Sequence, residues 1–192
     1  MTQLNEKLHL NEGWLSAAEH CPSPNFNQRP ANQVPRLLVI HNISLPPEKF
    51  GGGYIQDFFL NRLDPSVDPY FATIATLQVS AHLLIERTGQ LVQFVSFDQR
   101  AWHAGQSEYA GCGNCNDFSI GIELEGADHT PYTEQQYQQL ARVTAALIDY
   151  YPAMTPEHIT GHEDIAPGRK TDPGPAFNRE HFNRLLTMER QG

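Results

Sequence analysis

Two short segments of the chain have the pattern of buried strands. Residues 37–43 (Leu-Leu-Val-Ile-His-Asn-Ile) are apolar on both alternating faces, and His41 is their one strongly polar ring. Residues 119–125 alternate strictly between two faces. The first face carries Ile120, Ile122 and Leu124, and the second carries Ser119, Gly121, Glu123 and Glu125. Both segments therefore predict strands of a sheet.

Residues 79–86 and 91–96 predict two further strands, joined as a hairpin around Thr88-Gly89. Between this hairpin and the first strand, the apolar positions of residues 54–63 follow the spacing of a short helix. A short helical piece is also predicted around residues 13–20.

The longest predicted helix runs over about residues 134–150. Thr133 and Gln136 can form a capping box at its start, and Pro152 ends it. Its apolar stripe repeats at 3.6-residue spacing and comprises Tyr137, Leu140, Ala141, Thr144, Leu147, Ile148 and Tyr151. A last helix is predicted to begin after Asn178 as N-cap, with Phe177 and Phe182 as a hydrophobic staple.

These elements mix strands and helices without a regular βαβ period. We therefore predict an α/β fold with a central mixed β-sheet flanked by helices. At 192 residues, the chain is long enough for a hydrophobic core of its own, and we expect one domain over residues 1–192. Residues 1–35 are polar and interrupted by four prolines, so we expect them to form an extended N-terminal arm packed on that domain.

Composition narrows the partners. Lys plus Arg number 13 and Asp plus Glu 22, so the net charge of −9 disfavours nucleic acids and anionic membranes. The chain lacks an apolar run long enough to span a bilayer, and its N-terminus lacks the pattern of a secretory signal. Three cysteines are too few for a disulfide scaffold. We expect a cytoplasmic monomer without nucleic-acid or membrane partners.

Candidate chemistry begins with His41. An imidazole inside an apolar strand needs partners for both nitrogens, and a metal ion on one with a hydrogen bond on the other meets that need. A hydrogen-bonded core histidine meets it equally well. Residues 161–175 add His162, Asp164 and Asp172 on a loop stiffened by prolines, and rigid loops suit metal or catalytic sites.

Hydrolytic zinc sites commonly use two histidines and one carboxylate, which leaves room for water. His41 and His162 supply the two rings, but ligand chemistry alone does not choose between Asp164 and Asp172. Nor does periodicity choose between Glu123 and Glu125 as a proton-transferring carboxylate, because both lie on the same face of their strand.

Several other residues have simpler interpretations. His82 is best interpreted as a core histidine hydrogen-bonded to the backbone, whereas for His103 a ligand or substrate role is equally open. Cys112 and Cys115 have the spacing of half a structural zinc site, but no second pair exists, so two free thiols in a loop are the better interpretation.

Four separated motifs, in order, give the chain a specific resemblance. They are Val39-Ile-His-Asn-Ile-Ser44, Trp102-His-Ala-Gly105, Asn116-Asp-Phe-Ser-Ile-Gly-Ile-Glu-Leu-Glu-Gly126, and Gly161-His with Arg169-Lys-Thr-Asp-Pro-Gly-Pro175. Together they resemble the zinc-dependent N-acetylmuramoyl-L-alanine amidases, a family that includes phage amidases and peptidoglycan-recognition proteins. The likeness is greatest to the cytoplasmic branch that recycles 1,6-anhydro-muropeptides.

This resemblance implies an amidase fold similar to the peptidoglycan-recognition proteins, and Zn²⁺ as the cofactor. It implies His41, His162 and Asp172 as zinc ligands, Glu123 as the acid/base and Lys170 as an electrophilic helper. The implied reaction is hydrolysis of the amide bond between the lactyl group of (1,6-anhydro-)N-acetylmuramic acid and L-alanine, in peptidoglycan recycling. The alternative is a non-catalytic module on the same scaffold that binds a muropeptide.

The implied substrate is a small muropeptide with a sugar face and several carboxylates. Trp102, Tyr70 and Phe71 are candidates for stacking on the sugar, and Arg100 and Arg169 for pairing with carboxylates. Each of these side chains is equally compatible with ordinary packing or with a solvated surface.

Overall fold

The computed structural model describes residues 8–191. Its strands in this range are β1 (Leu10–Asn11), β2 (Trp14–Leu15), β3 (Glu19–His20), β4 (Phe26–Asn27), β5 (Leu37–Ile43), β6 (Leu83–Ile85), β7 (Leu91–Gln93), β8 (Arg100–Ala101), β9 (Glu108–Tyr109), β10 (Cys112–Gly113), β11 (Ser119–Glu125) and β12 (Ile159–Gly161). Its helices are α1 (Tyr54–Phe59), α2 (Pro69–Ile74), α3 (Glu134–Tyr150), α4 (His162–Ile165) and α5 (Arg179–Gln191), and a 3₁₀ turn spans Cys115–Asp117.

Six strands form the central sheet in the order β12–β5–β11–β6–β7–β3. Strands β12, β5, β11 and β6 are mutually parallel, β6 and β7 are antiparallel, and β7 is parallel to β3. The sheet is therefore mixed, and the predicted α/β fold with flanking helices is confirmed. The predicted hairpin is confirmed as β6–β7, although both strands are shorter than the predicted 79–86 and 91–96, and the strands 37–43 and 119–125 have the predicted bounds.

One face of the sheet packs against α3 and α5. The capping box of Thr133 and Gln136 opens α3 as predicted, and Ile120, Ile122 and Leu124 from β11 pack in the same cluster as the α3 stripe. The staple of α5 is also present, because the rings of Phe177 and Phe182 lie 5.9 Å apart and Asn178 Oδ1 accepts from the His181 N–H at 2.9 Å. The apolar stripe, the capping box and the staple therefore predicted both long helices on this face correctly.

Helices α1 and α2 cover the other face of the sheet over β6 and β7, around Phe58, Phe59 and Phe71. Next to them, Leu37 and Val39 of β5 pack in a small separate cluster. His41 extends that same face of β5, so the strand carries apolar side chains up to the point where the ring appears.

Some boundaries differ from prediction. The helical piece around 13–20 is wrong: β2 and β3 lie there, separated by turns, and the Leu15 N–H donates to the Gln93 side chain at 2.8 Å. The helix expected over 54–63 ends at Phe59, since Asn61 adopts a left-handed φ of 58° that stops it. Helix α2 was not predicted, although Asp68 is its N-cap and Pro69 its first residue.

The described part of the N-terminal arm, residues 8–35, is tied to the sheet by β3 and by one buried cation; residues 1–7 of the predicted arm lie outside the described range. The Arg29 guanidinium donates to the carbonyls of Asn116, Asp117, Phe97 and Ser119 at 2.8–3.2 Å. Burial lowers the pKa of Arg29 to about 10.

No helix within residues 8–191 is both long and apolar enough to cross a bilayer.

Candidate metal centre and active-site cleft

Three side chains converge at the carboxyl ends of the parallel strands. The His41 Nδ1 atom lies 3.0 Å from His162 Nδ1 and 3.0 Å from Asp172 Oδ2, and His162 Nδ1 lies 3.1 Å from Asp172 Oδ2. Within residues 8–191 they form the one group of three or more His, Cys, Asp or Glu whose ligand atoms cluster closely enough to hold a metal ion.

The sheet explains why residues 121 positions apart in the chain meet. His41 is near the end of β5, and β12 runs parallel beside it with Gly161 opposite Ile40. His162 follows β12 directly as the first residue of α4. The Glu163 N–H donates to the Asp172 carbonyl at 2.9 Å, which brings the loop carrying Asp172 back to the same point.

The donor set fits a zinc ion. Two imidazoles and a carboxylate are a common ligand set of hydrolytic zinc sites, and tetrahedral bonds of about 2.0–2.1 Å place ligand atoms about 3.3 Å apart. His162 donates from Nε2 to the Ala104 carbonyl at 3.0 Å, which leaves Nδ1 as the ring nitrogen that faces Asp172 and can bind a metal ion. Two acceptor atoms at 3.1 Å need a cation or a proton between them.

Two members of the cluster, His41 and Asp172, are held in the forms that bind a metal ion. Burial lowers the pKa of His41 to about 4, against the opposing contact with Asp172. For Asp172, burial acts to raise the pKa, but the contacts with His162 and His41 outweigh burial and hold that pKa well below its usual range. A neutral imidazole and an ionised carboxylate are the forms that bind metals.

The two candidate glutamates of β11 have different surroundings. Glu123 pairs with His41 across the parallel strands and lines the same cleft, and its Oε2 is buried without a hydrogen-bond partner. Burial, and secondarily Asp172, raises the pKa of Glu123 well above its usual value. Glu125 accepts instead from the Gly51 N–H at 2.5 Å and the Arg87 N–H at 3.1 Å, which is a structural role.

The two candidate aspartates also separate. Asp164 accepts from the Gly161 N–H at 2.9 Å, the Thr160 hydroxyl at 3.0 Å and Arg179 at 2.8 Å, so it stabilises the start of α4. Asp172, by contrast, turns toward the two histidines. The structure therefore brings together His41, His162 and Asp172 and leaves Asp164 out.

Lys170 lies two residues before Asp172 and lines the cleft with Glu123 and the three clustered side chains. The cleft has a volume of about 670 Å³. Its lining also includes the apolar side chains of Phe58, Ile74 and Leu77, so the cleft is lined by both polar and apolar groups. A volume of this size suits a small-molecule ligand.

The family model described as N-acetylmuramoyl-L-alanine amidase matches residues 30–175. The chain belongs to the N-acetylmuramoyl-L-alanine amidase family. It is 58% identical over 180 residues to AmpD of Escherichia coli (strain K12), whose name is 1,6-anhydro-N-acetylmuramyl-L-alanine amidase, and the match covers 94% of this chain and 98% of AmpD.

Solved structures agree with this family. A crystal structure of a selenomethionine derivative of AmpD matches with a TM-score of 0.91 at 57% identity, over 93% of this amidase and 99% of that chain. AmpDh3 from Pseudomonas aeruginosa, in complex with anhydromuramic pentapeptide, matches with a TM-score of 0.58 at 29% identity, over 79% of this chain and 59% of that one.

Not every candidate substrate contact of the amidase reaches the cleft. Trp102 and Tyr70 line it, whereas Phe71, a residue of α2, is fully buried in the core. Arg100 forms a salt bridge with Asp117, with 2.6 Å between Nε and Oδ1. Arg169 lines the cleft, but its Nη2 donates to the carbonyls of Ala104 and Gln106, both at 2.6 Å.

The remaining histidine and cysteine interpretations have clear outcomes. His82 is a core histidine, as predicted: its Nδ1 accepts from the Gly121 N–H at 3.0 Å and its Nε2 donates to the Gln99 carbonyl at 3.0 Å. Cys112 is exposed and Cys115 buried, and both are free thiols. His103, whose role the sequence left open, contacts the candidate ligand His41, with its Nδ1 2.9 Å from His41 Nε2. Gly121 was the signal in the sequence, because a glycine inside a strand often marks close approach by another group.

Proposed function

We propose that this amidase hydrolyses the amide bond between the lactyl group of 1,6-anhydro-N-acetylmuramic acid and L-alanine, as a step of peptidoglycan recycling. The observation that carries the proposal is the three-atom cluster of His41, His162 and Asp172 with a buried, unpartnered Glu123 oxygen in the same cleft. The names of the relatives supply the substrate class.

We assign Zn²⁺ to the cluster, held by His41 Nδ1, His162 Nδ1 and Asp172. When bound, a zinc ion polarises a carbonyl oxygen and lowers the pKa of water. Two histidines and a carboxylate leave the remaining position of a tetrahedral site open, which is the arrangement of a hydrolytic site rather than a structural one.

Glu123 is the proton carrier in this proposal. Its Oε2 accepts a proton from the attacking water, whose oxygen adds to the lactyl carbonyl carbon. The same atom then donates that proton to the alanine nitrogen as the C–N bond breaks. The raised pKa of Glu123 suits this exchange, because a carboxylate whose pKa is raised is a stronger base toward the attacking water.

Lys170 is proposed to stabilise the charge that develops on the carbonyl oxygen. Its ammonium offers three N–H donors, and Lys170 lines the same cleft as the ligand cluster and lowers the pKa of both His41 and Glu123 through its charge. The products are a free lactyl carboxylate on the sugar and a peptide with an N-terminal L-alanine. We propose that the whole chain acts as one such domain; the predicted monomeric state and cytoplasmic location stay predictions.

The alternative of a non-catalytic binding module is less favoured by one observation. A binding site gains nothing from a buried carboxylate oxygen that has no protein partner, whereas a proton carrier requires one.

The test is product analysis by mass spectrometry of an anhydro-muramyl tripeptide, incubated with the zinc-loaded protein and with the chelator-treated protein. We expect free tripeptide and anhydro-muramic acid only with zinc, and recovery when zinc is returned. Cleavage within the peptide would indicate a peptidase, and tight binding without turnover would indicate the binding module.

A further inference from the structure

We propose that His103 is a positioning residue for the metal ligand His41: it accepts the Nε2 proton of His41, which leaves His41 Nδ1 free to bind the ion. This inference rests on the proposed function, because it concerns the same zinc centre. The Nδ1 atom of His103 lies 2.9 Å from His41 Nε2, and its own Nε2 lies 3.1 Å from Ser119 Oγ.

The direction of these hydrogen bonds follows from the ligand geometry. His41 turns Nδ1 toward Asp172 and His162, so a neutral His41 that binds metal through Nδ1 carries its proton on Nε2. His103 Nδ1 is then the acceptor, and the proton of the His103 ring sits on Nε2, where it is donated to Ser119 Oγ. A relay of His41, His103 and Ser119 thereby fixes the tautomer and orientation of the ligand.

The turn that carries His103 is built to hold this position. Asn116 Oδ1 accepts from the N–H groups of both His103 and Ala104, at 3.1 and 2.8 Å. The Ala104 carbonyl in turn accepts from His162 Nε2 at 3.0 Å and from Arg169 at 2.6 Å. The two neighbouring residues His103 and Ala104 thus accept the second hydrogen bond of His41 and His162, respectively. Arg169 also donates to the Ala104 carbonyl.

Gly121 makes room for the ring. A Cβ atom at this position of β11 would overlap Cγ and Nδ1 of His103. Glycine weakens a strand interior, so its presence here is explained by the imidazole that lies against the backbone.

His82 shows what a purely structural histidine looks like in the same region. Its ring centroid lies 5.7 Å from that of His103, and it is fully buried whereas His103 is partly exposed. Its Nδ1 accepts from the Gly121 N–H and its Nε2 donates to the Gln99 carbonyl, while Arg29 Nη2 lies 3.3 Å from Nε2. His103 instead forms hydrogen bonds with two side chains, Ser119 and the proposed zinc ligand His41. The two rings therefore serve as a matched pair for experiment.

The experiment compares the full-length H103L, H103N and H82N proteins with the unsubstituted protein. Zinc affinity is measured by competition with a chelating dye, and the visible spectrum is recorded after Co²⁺ substitution. We expect H103L to bind zinc about 10- to 100-fold more weakly, the usual effect of losing such a partner, with an altered Co²⁺ spectrum. H103N restores most of the affinity because its Oδ1 also accepts, and H82N leaves affinity and spectrum unchanged.

Unchanged zinc affinity and Co²⁺ spectrum in H103L would overturn the inference. If H103L does not fold, the S119A and G121A proteins test the inference instead. S119A removes the hydrogen-bond partner of His103 Nε2, and G121A displaces the His103 ring. Both substitutions are expected to weaken zinc binding. Unchanged affinity in both would also overturn it. Zinc binding without hydrolysis in the unsubstituted protein contradicts the proposed function alone, whereas absence of zinc binding there contradicts both.

Discussion

The two faces of the central sheet bury their strands by different means. Toward α3 and α5, the side chains of β11 are Ile120, Ile122 and Leu124, and packing alone accounts for their burial. On the opposite face, the same strand buries Ser119 and Glu123 with Gly121 between them. Each buried polar group there needs a hydrogen-bond partner. Glu123 Oε2 has none, and it therefore marks the place where proton transfer is possible.

This difference has a practical meaning for substitution. On the apolar face, a change alters stability in proportion to the volume lost and leaves the site intact. On the polar face, a change of one atom redirects a hydrogen bond and affects metal binding or proton transfer. Substitutions on the two faces therefore separate an effect on stability from an effect on metal binding or proton transfer.

The largest effect is expected for D172A, which removes a proposed ligand. We expect loss of bound zinc and of all activity, because two imidazoles alone hold the ion poorly. The matched control is D164A in the neighbouring helix α4, which should keep zinc and lower the thermal unfolding midpoint, since Asp164 stabilises the start of α4. Metal analysis after dialysis distinguishes them, and zinc loss in D164A but not D172A would reverse the ligand assignment.

Next in size is E123Q, which keeps the shape of the side chain but removes its basicity. We expect full zinc content and a kcat lower by roughly 10²–10⁴-fold, the usual contribution of a general acid–base group. E125Q is the control and should retain kcat, because Glu125 serves the backbone of Gly51 and Arg87. Steady-state kinetics on the anhydro-muramyl peptide checks this, and an active E123Q would remove Glu123 from the mechanism.

L140A tests the apolar face. Leu140 is fully buried in the cluster between α3 and the sheet, so its truncation should cost about 2–5 kcal/mol of unfolding free energy. Zinc affinity of the folded protein should not change. Urea unfolding and dye competition measure the two quantities, and a large loss of zinc affinity in folded L140A would show that the faces are coupled.

The smallest effect is the pH dependence contributed by His82. Burial, and then Arg29, lowers its pKa from 6.5 to about 3 in the folded protein, so the ring stays neutral there. The stability it contributes is therefore complete above about pH 6.5 and is lost as the pH falls toward 3.

H82N retains an acceptor for the Gly121 N–H but does not titrate. Its unfolding free energy should fall less steeply between pH 6.5 and 4, by at most about 1.4 kcal/mol per pH unit. Urea unfolding of both proteins at several pH values, with a chelator present so that zinc release does not contribute, measures the slopes. Equal slopes would contradict the prediction.

Much of this fold could be predicted because apolar periodicity is a local signal. The bounds of β5 and β11, the capping box at Thr133 and the staple at Phe177 all follow from residues close in the chain. The failure around residues 13–20 has the opposite origin. That segment is held by Gln93, about 80 residues away, and no local pattern reports such a contact.

The site divides in the same way. Ligand chemistry reduced the candidates to two aspartates and two glutamates, and the family resemblance, rather than any spacing, favoured Asp172 and Glu123. The structure separates each pair by hydrogen bonding, since Asp164 and Glu125 are used by nearby backbone groups. Partner choice of this kind depends on loops that return from distant parts of the chain.

The buried guanidinium of Arg29 has a consequence for anyone trimming this protein. The family match begins at residue 30, so a fragment cut to that boundary would lose the side chain that gathers the carbonyls of Asn116, Asp117 and Ser119. Those carbonyl oxygens would then lose their donor, and one of them belongs to Asn116, whose side chain accepts from the His103 N–H. A functional fragment of this enzyme therefore has to include Arg29 and begin before residue 30, where the match to the family model starts.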